Sequence, residues 1–89
     1  MAKRGKLEII KDILNIINKN HNSIKITPLL RQSNISSSRF KEYFLELIKK
    51  NLIKENINKK NKFISLTEKG NKFLQSYKTI IDFIEEFKL

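Results

Sequence analysis

The chain has 89 residues, no cysteine, one histidine, and 19 lysines and arginines against nine acids, for a net charge of +10. A chain of this length forms one domain that buries only about 60 to 65% of its unfolded surface, so its core is small, and without cysteine neither disulfides nor thiolate metal sites can reinforce it. No apolar run reaches the roughly 20 residues that cross a bilayer, and the first residues lack the charged, apolar and small-residue order of a secretion signal; the expected setting is soluble and cytoplasmic, with no membrane partner.

Met1 to Gly5 is a short basic lead. From Lys6 to Lys19 the apolar residues Leu7, Ile10, Leu14 and Ile17 recur at spacings of three and four, which predicts a helix with one apolar face. Ile9, Ile13 and Ile16 form a second stripe, so this helix should be covered on two sides. Asn18 to Ser23 is polar and reads as a loop holding a solvated His21. Ser23 to Ile26 alternates briefly and suits a small strand. Thr27 to Ser33 predicts a second helix opened by Pro28, whose missing N–H costs nothing in the first turn. Leu29 and Leu30 should face inward and Arg31 and Gln32 outward, and Asn34 ends the helix.

The run Ser36-Ser37-Ser38 supplies an N-cap for a third helix that continues from Arg39 to Lys50. There Phe40, Phe44, Leu47 and Ile48 define the core side, with Tyr43 at its edge. Leu52 to Ile57 and Phe63 to Leu66 alternate as strands, and the polar segment Asn58-Lys59-Lys60-Asn61 between them predicts a hairpin with a basic tip. Thr67 then caps a last helix running from Glu68 nearly to Leu89, about 30 Å at 1.5 Å per residue. Gly70, in its first turn, allows close packing. Two short helices joined by a tight turn and followed by a basic hairpin make a winged helix-turn-helix, a mainly α fold with a small β-hairpin (α+β). The expected division is a winged helix-turn-helix unit over residues 1–67 and a C-terminal dimerisation helix over 68–89.

The charge is uneven along the chain. From Phe63 to Leu89 lysines and acids balance, so all of the excess lies before that point. A bias toward Lys, Asn and Ile codons is the bland source of such a composition; a polyanionic partner is the functional one, because each neutralised phosphate releases counterions. In a helix-turn-helix the outward, N-terminal half of the third helix enters the major groove. Here that surface offers Ser36, Ser37, Ser38, Arg39, Lys41 and Glu42. Lys59, Lys60 and Lys62 in the wing, with Lys3, Arg4 and Lys6 in the lead, are the candidates for the phosphates on either side. Such phosphate contacts carry no sequence preference. Along the last helix Phe73, Tyr77, Ile80, Ile84 and Phe87 follow a heptad-type spacing, flanked by Leu74, Ile81 and Phe83, and this seam is expected to pair with a second copy. No Gly-rich phosphate loop, metal-spaced ligand set or nucleophile beside a base is present, so no enzymatic activity, metal or cofactor is expected.

The segments Lys3-Arg4-Gly5-Lys6-Leu7-Glu8-Ile9-Ile10, Asn34-Ile35-Ser36 and Leu66-Thr67-Glu68-Lys69-Gly70 resemble the archaeal ArnR-like winged-helix family over nearly the whole chain. They are especially similar to small archaeal DNA-binding proteins in which a winged helix is followed by one long helix that pairs antiparallel in a homodimer. The resemblance implies a recognition segment at Ser36 to Lys41, a wing at Asn58 to Lys62 and a dimer helix at Phe73 to Phe87. Relatives often carry tyrosine or another larger residue within the stretch that is Ser-rich here, so no base preference is carried over. The expected function is that of a homodimer binding double-stranded DNA as a transcription regulator. A non-specific nucleoid architectural protein and a winged helix that docks a protein instead of DNA remain the alternatives, whereas RNA binding is disfavoured by the lack of an aromatic-studded strand surface.

Overall fold

A computed structural model describes residues 5–88. The order is α1 (Lys6–Lys19), α2 (Ile26–Ser33), α3 (Ser37–Lys49), β1 (Ile53–Asn58), β2 (Asn61–Leu66) and α4 (Glu68–Phe87). The first three helices and the base of the hairpin enclose one core, formed by Ile9, Ile10, Ile13, Leu14 and Ile17 of α1 with Ile24, Leu29, Phe40, Phe44, Leu47, Leu52, Ile53, Ile64 and Leu66. Both apolar stripes of α1 are therefore used. Leu7 is the exception: it was expected on the inner face, but in the first turn it overhangs the domain and is exposed.

Asparagines do much of the punctuation. Asn20 closes α1 by donating its side-chain amide to the Ile16 carbonyl at 2.7 Å. His21 and Asn22 then adopt left-handed backbone angles (φ 61° and 59°), a conformation that costs asparagine less than most residues. The Asn22 carboxamide oxygen accepts from the Leu66 N–H at 2.7 Å, tying this turn to the end of β2. The strand expected at Ser23 to Ile26 is reduced to Ile24, which exchanges two backbone hydrogen bonds with Ile64 (3.1 and 2.7 Å). Ile26 already belongs to α2, because Lys25 is the N-cap. Pro28 consequently sits one turn in, at the third helical position, where its missing N–H is still among the unpaired donors of a helix start.

Asn34 ends α2 in the left-handed conformation (φ 57°), and Asn34-Ile35-Ser36 makes the tight turn to α3. Ser36 is the N-cap, its hydroxyl accepting from the Arg39 N–H at 3.3 Å. β1 and β2 pair antiparallel from Ile53 opposite Leu66 out to Asn58 opposite Asn61, leaving a two-residue turn, Lys59-Lys60, with φ 59° at Lys59. The turn is shorter than the four-residue tip expected from polarity alone.

The junction into α4 is tightly bonded. The Thr67 hydroxyl accepts from the Gly70 N–H at 3.0 Å and donates to the Asn51 carbonyl at 2.6 Å, while the Thr67 N–H donates to the Leu52 carbonyl at 3.2 Å. Phe73 and Leu74 pack against the core. Beyond Tyr77 the helix leaves the body, and its apolar residues face solvent.

Candidate nucleic-acid interface

Since α3 points its aromatic side into the core, the opposite side is free. Phe40 and Phe44, stacked with centroids 5.8 Å apart, anchor that inner side together with Leu47. Helical geometry then turns Ser37, Ser38, Arg39, Lys41 and Glu42 outward, and all five are exposed. Ser36 is the member of the serine run that supplies the expected N-cap, and its exposed hydroxyl lies 3.4 Å from that of Ser38. The helix start still presents free backbone N–H groups and a positive dipole end, which favour an anion.

Two depressions flank this face. On the α1 side Lys6, Arg39, Glu42, Tyr43 and Glu46 line a polar cleft of about 230 Å³. There Glu46 accepts from Lys6 and Lys50 through the same carboxylate oxygen, each at 3.0 Å. These two ammonium groups, Lys50 first, hold the Glu46 carboxyl below its ordinary range. Lys6, expected on the phosphates, is thus brought beside Arg39 but is engaged with Glu46, so its net contribution to the local field is reduced. On the α2 side Ile26, Thr27, Leu30, Phe40, Lys41, Phe44 and Leu45 line an apolar groove of about 400 Å³. Periodicity had no means of revealing this groove, because Ile26 and Leu45 come from different helices.

The wing carries its cations at the tip. Lys59 and Lys60 are exposed, whereas Lys62 folds back onto Glu55 at 3.1 Å. Among the described residues Arg39, Lys41, Lys59 and Lys60 form no ion pair, leaving their charge to act on a ligand. Lys25 adds a cation that the sequence did not single out: its ammonium lies 5.9 Å from the centre of the Phe63 ring, linking the start of α2 to the wing. Lys3 and Arg4 lie outside the described residues.

The apolar seam of α4 divides in two. Phe73 and Tyr77, with ring centroids 6.3 Å apart, are half-buried against their own domain. The Tyr77 ring also receives the Lys11 ammonium at 5.7 Å, and Lys11 is held by Asp12 at 2.7 Å, which raises its pKa. Ile80, Phe83 and Phe87 are 58%, 54% and 58% exposed, with Ile81 and Ile84 beside them. Phe83 and Phe87 touch each other, centroids 4.7 Å apart, rather than any other element. No helix among the described residues is long and apolar enough to cross a membrane, and no cluster of His, Asp and Glu among them is suited to a metal.

This arrangement has known counterparts. Sso10a-2, a DNA-binding protein from Sulfolobus solfataricus, superposes with a TM-score of 0.74 at 24% identity, over 96% of this chain and 86% of that one. SSV1 F-93 aligns over 96% of this chain and 99% of its own, with a TM-score of 0.67 at 25% identity. AF1382 from Archaeoglobus fulgidus gives 0.69 at 22% identity over 91% of both chains. At such identities the first and third of these establish a shared fold. No curated protein matches the sequence. The winged helix-turn-helix family model matches residues 3–85, the span that holds every helix of the core and the hairpin, and the chain belongs to that family.

Proposed function

We propose that this protein binds double-stranded DNA as a homodimer and acts as a transcription regulator. The observation that carries the reading is the placement of four exposed cations that form no ion pair among the described residues, Arg39 and Lys41 on the outer face of α3 and Lys59 and Lys60 at the wing tip, within a winged helix-turn-helix frame. With α3 in the major groove, Arg39 faces base edges and can bond a guanine bidentately, Ser37 and Ser38 bond bases or phosphates, and the wing grips the flanking backbone. The description of Sso10a-2 as a DNA-binding protein agrees.

Residues 1–67 act as the DNA-binding unit and residues 68–89 as the dimerisation helix, in which the exposed Ile80, Ile84 and Phe87 form the seam while Phe73 and Tyr77, expected on it as well, lie half-buried against their own domain. Two-fold symmetry would bring two α3 helices to successive major grooves about 34 to 36 Å apart. The resemblance to the ArnR-like family supports the same assembly. A second reading, that of a nucleoid architectural protein, draws on the excess of lysine over arginine, since lysine acts as a point charge on phosphate more than as a reader of bases.

Arg39→Ala discriminates the two. If Arg39 reads a base, the substitution lowers affinity for the preferred site by about 1 to 3 kcal/mol and leaves unrelated duplexes nearly unaffected. Equal weakening on every duplex in a fluorescence-anisotropy titration would reassign Arg39 to the backbone and favour the architectural role.

A further inference from the structure

The wing ends in a side chain that the fold does not use. In the hairpin Ile53, Glu55 and Ile57 share one face with their partners Leu66, Ile64 and Lys62. At the base of this face Ile53, Ile64 and Leu66 are buried in the core. Ile57 lies four residues further out, about 13 Å at the rise of a strand, and is 73% exposed, more than any other large apolar side chain among the described residues. Full burial of such a side chain is worth roughly ten- to a hundredfold in a binding constant, so most of that stabilisation is left for a ligand to supply.

Its surroundings select the ligand. Ile57 lies two residues before the exposed turn Lys59-Lys60 and opposite Lys62, and Asn56, Asn58 and Asn61 on the other face of the hairpin are exposed as well. The one acid on the same face, Glu55, is neutralised by Lys62, whose ammonium is drawn 3.1 Å from it and away from the tip. A protein partner would need a contiguous apolar patch of several hundred square ångströms, and a lone isoleucine between the Lys59-Lys60 turn and the Glu55–Lys62 pair is not one. A DNA minor groove fits better. It is about 6 Å wide, it is read by Lys and Asn side chains, and proteins that enter it push apolar wedges such as Ile between base steps and kink the duplex.

We infer that Ile57 is an apolar wedge: with Lys59 and Lys60 on the flanking phosphates, it enters the minor groove and bends the DNA at the base step it opens. This assignment rests on the DNA-binding reading above and adds to it a bent complex and a specific residue that bends it. Base steps that unstack easily, the pyrimidine–purine steps, are the ones it should favour.

The test uses the full chain and a duplex of about 30 base pairs carrying a dye at each end, with binding followed by anisotropy and bending by energy transfer. The wild-type protein should bend the duplex by at least about 20°. Ile57→Ser should still bind with an unchanged salt dependence and an affinity loss of no more than about a hundredfold, the cost of one apolar contact, yet leave the duplex as straight as when free. Ile57→Phe should keep the bend. Wild-type binding without bending, or a serine variant that bends as the wild type does, would overturn the wedge. If the wild-type protein bound no duplex at all, the DNA-binding reading would fall, and the wedge with it, an outcome that anisotropy alone distinguishes from the others.

Discussion

Gly70→Ala should lower the melting temperature by about 4 to 24 °C. In an exposed helix the same change stabilises by about 1 kcal/mol, because alanine is the better helix former. Here the sign reverses. A Cβ at Gly70 would collide with the carbonyl oxygen of Leu52 and come within 3.2 Å of the carbonyl carbon. That obstacle is backbone and is held in place: the Leu52 carbonyl accepts from the Thr67 N–H, and the Leu52 N–H donates to the Leu47 carbonyl at 2.9 Å. Relief therefore requires moving the start of α4 off the α3–β1 junction, which also strains the bonds of Thr67 to Asn51 and Gly70. Overpacking of this kind costs about 1 to 3 kcal/mol, and each kcal/mol shifts the midpoint of a domain this size by about 4 to 8 °C. A circular-dichroism melt measures it, and an unchanged or raised midpoint would show that the junction yields freely.

Ile80→Glu should turn the proposed dimer into monomers without unfolding them. Ile80 is exposed and takes no part in the core, so a monomer tolerates a carboxylate there. In the proposed seam the same carboxylate would enter an apolar contact twice, once from each copy, with no cation on the seam to receive it. A loss of about 4 kcal/mol is expected, on the order of a thousandfold in the dimer dissociation constant. Sedimentation of the two proteins at matched concentration gives the answer, with helicity as the control for folding. Equal masses for wild type and variant would remove Ile80 from the interface, and a wild-type monomer at high concentration would remove the seam.

These two residues also mark how far the sequence could be read. Gly70 was legible as a point of close approach, but its neighbour was not: the Leu52 carbonyl reaches it through a turn at Asn51, whose left-handed backbone (φ 62°) no local pattern announced. The heptad spacing from Phe73 to Phe87 identified an apolar stripe, since period alone encodes a face. It could not show that Phe73 and Tyr77, on the seam itself, lie half-buried against the domain while Ile80 and those beyond it remain exposed, because that depends on where α1 ends beside α4. The same limit explains Leu7, in phase with α1 yet past the edge of the core, and Ile24, whose single bridge to Ile64 replaces a strand.

At the interface, the outer face of α3 followed directly from the positions of its aromatic residues. The ion pairs did not. Glu46 gathers Lys6 from α1 and Lys50 from its own helix, and Glu55 draws Lys62 away from the tip; each takes a cation that composition alone counted toward the ligand. Ile57 was read as one more alternating strand residue, and its isolation became visible only once the hairpin was seen to leave the core.

Whether the exposed cations of α3 and the wing meet DNA is measured most directly by equilibrating the protein with a random duplex library of about 30 base pairs at roughly 50 and 200 mM salt and sequencing the bound fraction. Binding should weaken with a log–log salt slope of about −0.9 for each phosphate contacted, and the bound fraction should be enriched in a two-fold symmetric motif that survives the higher salt. Absence of binding at either salt would contradict the assignment of this surface to nucleic acid.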